Sequence, residues 1–171
     1  MKRIFFLEIL VLTFLVFISV TAEAEKGEEK AEQEMEIKAL VFDQKAQSPV
    51  VLLTNKEQDT VFPIWIGLCE ARSIELELSE KVAPRPLTYD LLAAIIRTMK
   101  AKVERIVIVD LRDQVFYAQV EFSVNGKVSK IDARPSDAIA LALRMNLPIF
   151  VKKTVLEKPP PLDSDKEKRG L

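Results

Sequence analysis

The sequence predicts one α/β (α+β) domain on a mixed sheet, built as two strand-strand-strand-helix halves joined by a central helix. Three observations predict it. Alternating or continuous apolar segments bounded by turn residues occur three times at 36–66 and three times again at 103–133. Each set runs straight into a helical run, at 68–80 and at 135–145. Between the halves, P-R-P-L-T-Y-D-L-L (84–92) has two prolines that hold an extended approach, and Thr88 is placed to cap a helix running to Lys100.

The elements follow in order. Lys2 and Arg3 precede an apolar run at 4–20, and Ala22-x-Ala24 has the spacing of a cleavage site, so residues 1–24 read as an export signal peptide. Glu8 inside that run and its modest length argue against an uncleaved anchor through residues 4–20, which stays the alternative. The expected location is therefore periplasmic or extracellular, with no stable membrane span once the signal is cleaved. Residues 25–34 are nearly all Glu, Lys, Ala and Gln, a solvated charged spacer, and folding proper is expected to begin near Met35. Strands are expected at 36–42, 50–54 and 61–66. The next run, 68–80, contains I-E-L-E-L (74–78), which alternates like a strand. It lacks any turn residue and is rich in Glu, Leu and Ala, so it reads as helix.

In the central helix, Leu91, Leu92, Ile95, Ile96 and Met99 form one apolar stripe, expected to dock on the sheet. Strands follow at 103–110, 115–123 and 127–133, the last with Ile131 and Ala133 on a buried face. Pro135 suits a helix start, Ser136 can cap it, residues 138–145 are apolar on nearly every side, and Asn146 and Pro148 supply the stop. Glu70-Ala71 stands at the first strand-to-helix corner where Asp137-Ala138 stands at the second, a repeated architecture with weak identity. The domain is expected over 35–152, and 153–171 reads as a disordered proline-rich, charged tail.

Composition excludes several chemistries. The chain has 171 residues, 49% hydrophobic, with a formal net charge of −1, so it is no general polyanion binder and would need a local basic patch for nucleic acid. It has no histidine, which removes Ser-His-Asp and Cys-His catalysis and His-ligated zinc. The one cysteine, Cys69, cannot form an internal disulfide and reads as a buried, inert thiol. Trp65 reads as a core residue ahead of a base-stacking platform. At the second corner Asp132, Arg134, Ser136 and Asp137 crowd together. Two readings stand: a functional site, or a dipole-favoured first-turn Asp137 beside a solvated Asp132–Arg134 pair.

Three segments, P-I-W-I-G-L-C-E-A (63–71), R-P-L-T-Y-D-L-L (85–92) and D-A-R-P-S-D-A-I-A-L-A (132–142), closely resemble the bifunctional nuclease family. The likeness runs from about Met35 to Val151. It implies a small, disulfide-free α/β domain that degrades RNA and DNA. The family usually places histidine where this chain has Tyr89, and its members are mostly leaderless. The polar motif positions carried over are Glu70, Arg72, Arg85, Asp90, Asp132, Arg134 and Asp137. The resemblance implies catalytic roles for Asp132, Arg134, Asp137, Glu70 and Asp90, and substrate binding by Arg72, Arg85 and Tyr89.

Glu70, Asp90 and Asp137 each fall in a predicted helix first turn, where carboxylates serve equally as structural caps and as oxygen ligands. With no histidine, hydrolysis points to a metal-bound hydroxide, with Asp132, Asp137 and Glu70 holding Mg2+ or Mn2+ and arginines steadying the phosphorane. The expected partner is single-stranded RNA and/or DNA, with a homodimer as the candidate assembly. Two other classes compete: a non-catalytic nucleic-acid- or protein-binding regulatory domain on the same scaffold, and a structural envelope protein.

Overall fold

The computed structural model describes residues 31–158. The expected export signal, most of the charged spacer and the tail from 159 onward lie outside them. Seven strands form one mixed sheet. In chain order they are β1 (Glu32–Asp43), β2 (Ser48–Thr54), β3 (Val61–Trp65), β4 (Lys102–Arg112), β5 (Val115–Val124), β6 (Lys127–Ala133) and β7 (Ile149–Lys152). The helices are α1 (Leu68–Leu78) after β3, α2 (Thr88–Thr98) before β4, α3 (Pro135–Met145) after β6, and α4 (Lys153–Leu156) after β7. The order across the sheet is β3-β2-β1-β7-β4-β5-β6. Two antiparallel meanders therefore flank β7, which runs parallel to β4 with Ile106 opposite Ile149.

The strands that carry the core are those with apolar residues at period two. Val51 and Leu53 on β2, Ile106 and Ile108 on β4 and Val151 on β7 are fully or almost fully buried. Helix α3 lies over β4 and β5, α1 lies over β2, and α3 packs on both α1 and α2. The unbroken burial of Ala138 through Ala142 follows from that central position, as its all-round apolar sequence predicts. The I-E-L-E-L run is helical, with Ile74 and Leu76 buried.

Several expectations are corrected. β1 begins at Glu32, inside the expected spacer, and the expected tail begins with helix α4, whose Val155 is wholly buried. β7 has four residues, too short for its alternation to stand out. β6 is an edge strand with no fully buried residue: Ala133 is partly buried against the core as expected, but Ile131 is 53% exposed, and Lys127, Lys130 and Asp132 guard the edge with charge. Pro63 lies on β3, the other edge strand, where a missing N–H costs least. Cys69 is exposed, because it lies in the first turn of α1 off the helix face that packs. Trp65 is half-buried and pinned by its Nε1, which donates to Asp43 Oδ2 at 3.0 Å.

The caps also differ. Neither Thr88 nor Ser136 caps its helix through its side chain; each sits inside the first turn, and the N-caps are Leu87 and Arg134. Pro135 does open α3, and Asn146 ends it in the left-handed region (φ 54°). The stripe on α2 does not dock on the sheet. Tyr89 and Ala93 are its buried residues and Ile96 is partly buried, while Leu91, Leu92, Ile95 and Met99 face outward. The small Ala93 lets α2 lie close to its neighbours on a face that hydropathy alone does not mark.

Candidate functional site

Three helix N-termini meet at one corner. Gly67 is the N-cap of α1, Leu87 of α2 and Arg134 of α3, and each first turn carries an acid: Glu70, Asp90 and Asp137. A guanidinium gathers two of these acids. Arg134 Nε donates to Asp137 Oδ2 at 2.6 Å, and its Nη2 donates to Asp137 Oδ1 at 2.9 Å and to Glu70 Oε1 at 2.6 Å. Tyr89 Oη, from α2, donates to Asp137 Oδ1 at 2.6 Å. Glu70, Tyr89, Arg134 and Asp137 thus form one group from residues up to 67 apart in the chain. Gly67 makes room for it, since a Cβ there would overlap the Glu70 carboxylate.

Electrostatics fix the protonation of this group. Burial alone would raise the Asp137 carboxyl, but the bonds from Arg134 and Tyr89 outweigh it and hold it below the usual carboxylate range. The Tyr89 phenol is pushed well above its ordinary value, first by burial and then by its bond to Asp137, so it stays a donor. Arg134 is held charged chiefly by Asp137, and its side chain is 67% exposed. Two carboxylates against one guanidinium leave the corner with one net negative charge.

The remaining expected residues lie elsewhere. Asp90 belongs to a second group. Its Oδ2 accepts the Leu87 backbone N–H at 2.8 Å, and its Oδ1 lies 3.1 Å from Arg144 Nε, while Arg144 Nη1 donates to Glu77 Oε2. Arg144 Nε is buried without an aligned hydrogen bond, so its contact with Asp90 is one of charge. Arg144 and Glu77 were not singled out from sequence. The available signal was spacing, since Glu77 follows Glu70 and Arg144 follows Asp137 by seven residues, two turns along the same seam. Tyr89 and Asp90, neighbours in α2, thereby reach the two groups separately.

Asp132 is exposed on β6 opposite Gln119 and joins neither group. Arg72 pairs with Glu75 at 2.8 Å, and Arg85 is exposed before α2. These two arginines line adjoining clefts of about 440 and 570 Å³ that share Leu76, Lys81 and Pro84. The larger cleft is walled by Glu77, Asp90 and Arg144, beside the second group.

The expected metal trio of Asp132, Asp137 and Glu70 is not assembled. No group of three or more acidic or thiol ligands is placed for a metal among the described residues. The donors that do meet are hard oxygens from two carboxylates and a phenol. That set matches the usual Mg2+ habit of one or two carboxylates completed by water and substrate phosphates, and it is no closed protein cage.

Comparison with known proteins bears on this corner. The model of a family described as the bifunctional nuclease domain matches residues 51–160, which run from within β2 through α4 and include both groups. Two proteins of Mycobacterium tuberculosis, one from strain CDC 1551 and one from strain H37Rv, both named as uncharacterized, are each 42% identical to this chain. Each match spans 123 residues, 72% of this chain and 73% of the relative. No helix among the described residues is long and apolar enough to cross a membrane.

Proposed function

The chain belongs to the bifunctional nuclease domain family, and from that premise we propose that it hydrolyses phosphodiester bonds of RNA and/or DNA at the Glu70–Tyr89–Arg134–Asp137 corner. The observation that carries the location is Arg134. It is a charged guanidinium, two-thirds exposed, held at a helix N-terminus by two carboxylates from different helices. Its Nε and Nη2 are held by Asp137 and Glu70, which leaves Nη1 to donate to a phosphate oxyanion, and the helix N-terminus adds a favourable dipole.

In this reading Arg134 binds the scissile phosphate and stabilises the charge that grows on it, at an exposed corner that a single strand can reach. Tyr89, held protonated, offers its hydrogen to a phosphate oxygen when Asp137 gives it up. Glu70 and Asp137 would hold Mg2+ or Mn2+ arriving with the substrate phosphates, and the ion supplies Lewis-acid polarisation of the phosphoryl oxygen. Arg72, Arg85 and Lys81, on the adjoining clefts, receive flanking phosphates of a single strand. We also propose export, with the mature chain beginning at Glu25, which N-terminal sequencing from the native host would establish.

One observation favours a second reading, a non-catalytic binding domain. Asp137 already accepts three hydrogen bonds, from Arg134 Nε and Nη2 and from Tyr89 Oη, and no neutral base stands in the corner among the described residues. Incubating the purified protein with single-stranded RNA and DNA, with Mg2+, with Mn2+ and with chelator, separates the two. Cleavage that chelator abolishes supports the nuclease; tight binding with no cleavage under any metal supports the binding domain.

A further inference from the structure

We propose that the cleft between the end of α1 and the start of α2 is a guanine-selective base subsite for a single strand, read by Arg144 with Glu77 and Asp90. The inference deepens the nuclease reading of the neighbouring corner and rests on it. The two adjoining cavities, of about 440 and 570 Å³, have the size of small-ligand sites. They share Leu76, Val82, Ala83 and Pro84, an apolar wall of the kind on which a base stacks. The cleft also adjoins the corner. On α1 Glu70 belongs to the corner and Arg72, two residues on, to the cleft; on α2 the same holds for Tyr89 and Asp90. A nucleotide beside the scissile phosphate is therefore within reach of it.

The polar groups of the larger cleft supply the selectivity. Arg144 Nη1 donates to Glu77 Oε2, and Arg144 Nε faces Asp90 Oδ1 at 3.1 Å without an aligned bond. Among the described residues this leaves Arg144 Nη2 as an unused donor, with Asp90 Oδ1 and Glu77 Oε1 as unused acceptors. Guanine is the base whose Watson–Crick edge matches that set. Its N1–H and 2-amino group are adjacent donors for the carboxylates, and its O6 accepts from the guanidinium. Adenine and cytosine each set a single amino donor beside an unprotonated ring nitrogen, which a carboxylate repels. Uracil and thymine offer one N–H between two carbonyls. Two carboxylates against one guanidinium, with Glu80 beside them, also make this end of the cleft negative. That turns a phosphate toward the exposed Arg72, Lys81 and Arg85 and leaves the base to enter.

The test compares short single strands of adenosine alone with the same strands carrying one guanine or one hypoxanthine, which lacks the 2-amino group. Binding is read by fluorescence anisotropy in chelator, and cleavage positions are mapped with Mg2+ or Mn2+. The guanine strand is expected to bind about 10-fold more tightly than the adenosine strand, with hypoxanthine between them, and to be cut beside the guanine. Glu77→Gln, which keeps Asp90 beside Arg144, and Ala83→Trp, which fills the cleft from the connecting segment, should each abolish the preference and leave cleavage of the adenosine strand unchanged. The two act at different places, so either one decides the matter if the other unfolds. Equal binding of the guanine and adenosine strands overturns the proposal, as does a preference that persists in a folded variant. Cleavage spread without regard to the guanine overturns it too, while the nuclease reading stands. No cleavage under either metal removes the nuclease reading instead, and the anisotropy comparison still decides whether the cleft selects guanine.

Discussion

Burial of Tyr89 and its 2.6 Å bond to Asp137 keep the phenol protonated far above neutral pH, so the residue works as a donor and not as a base. Tyr89→Phe removes that donor while Arg134 still pairs with Asp137. The expected loss of stability is about 1.5–3 kcal/mol, the usual range for a hydrogen bond to a charged group, read by urea unfolding. Asp137 has a lowered pKa in the fold, so its contribution is fully present above the ordinary carboxylate range and is lost as pH falls through the folded value. The melting temperature of the wild type should therefore drop on acidification below about pH 4, and Asp137→Asn should show a lower neutral value with a weaker acid drop. Tyr89→His places a group titrating near pH ~6.5 in the corner. In a pH–rate profile on one single-stranded substrate, it should raise cleavage above that pH; profiles identical to wild type would show that position 89 does no proton chemistry.

At the scale of elements, α2 is fixed by its first turn. Asp90 accepts the Leu87 N–H and faces Arg144, so Asp90→Ala removes a cap and leaves a mostly buried guanidinium with only Glu77. A loss on the order of 2 kcal/mol in chemical denaturation is expected. The sequence made the three polar corners legible because Glu70, Asp90 and Asp137 each stand where a helix begins. It could not show which acid each arginine meets, since Arg134 reaches 64 residues back to Glu70 and Arg144 67 residues back to Glu77. Most strands were legible from period-two patterning. β7 was not, because a four-residue strand gains its identity from pairing with β4. The docking face of α2 was misread because its apolar stripe is larger than its packed face, which rests on an alanine and a tyrosine.

For the whole molecule, the near-zero net charge leaves affinity for nucleic acid to local arginines, and β7 with α4 completes the packed domain, so residues 149–156 belong to the fold. Val155 is wholly buried, so Val155→Ala should cost on the order of 2 kcal/mol. Removing residues 153–171 should lower the melting temperature well beyond the effect of removing 159–171 alone. Location of the chemistry is decided most directly by cleavage rates of Arg134→Met, Asp137→Asn and Asp132→Asn on one single-stranded substrate, with melting temperatures measured alongside. If the three-helix corner is the site, the first two lose at least ~100-fold, about 3 kcal/mol of transition-state stabilisation, while remaining folded, and Asp132→Asn stays within about threefold of wild type. Cleavage that survives Arg134→Met and Asp137→Asn but vanishes with Asp132→Asn would contradict that placement.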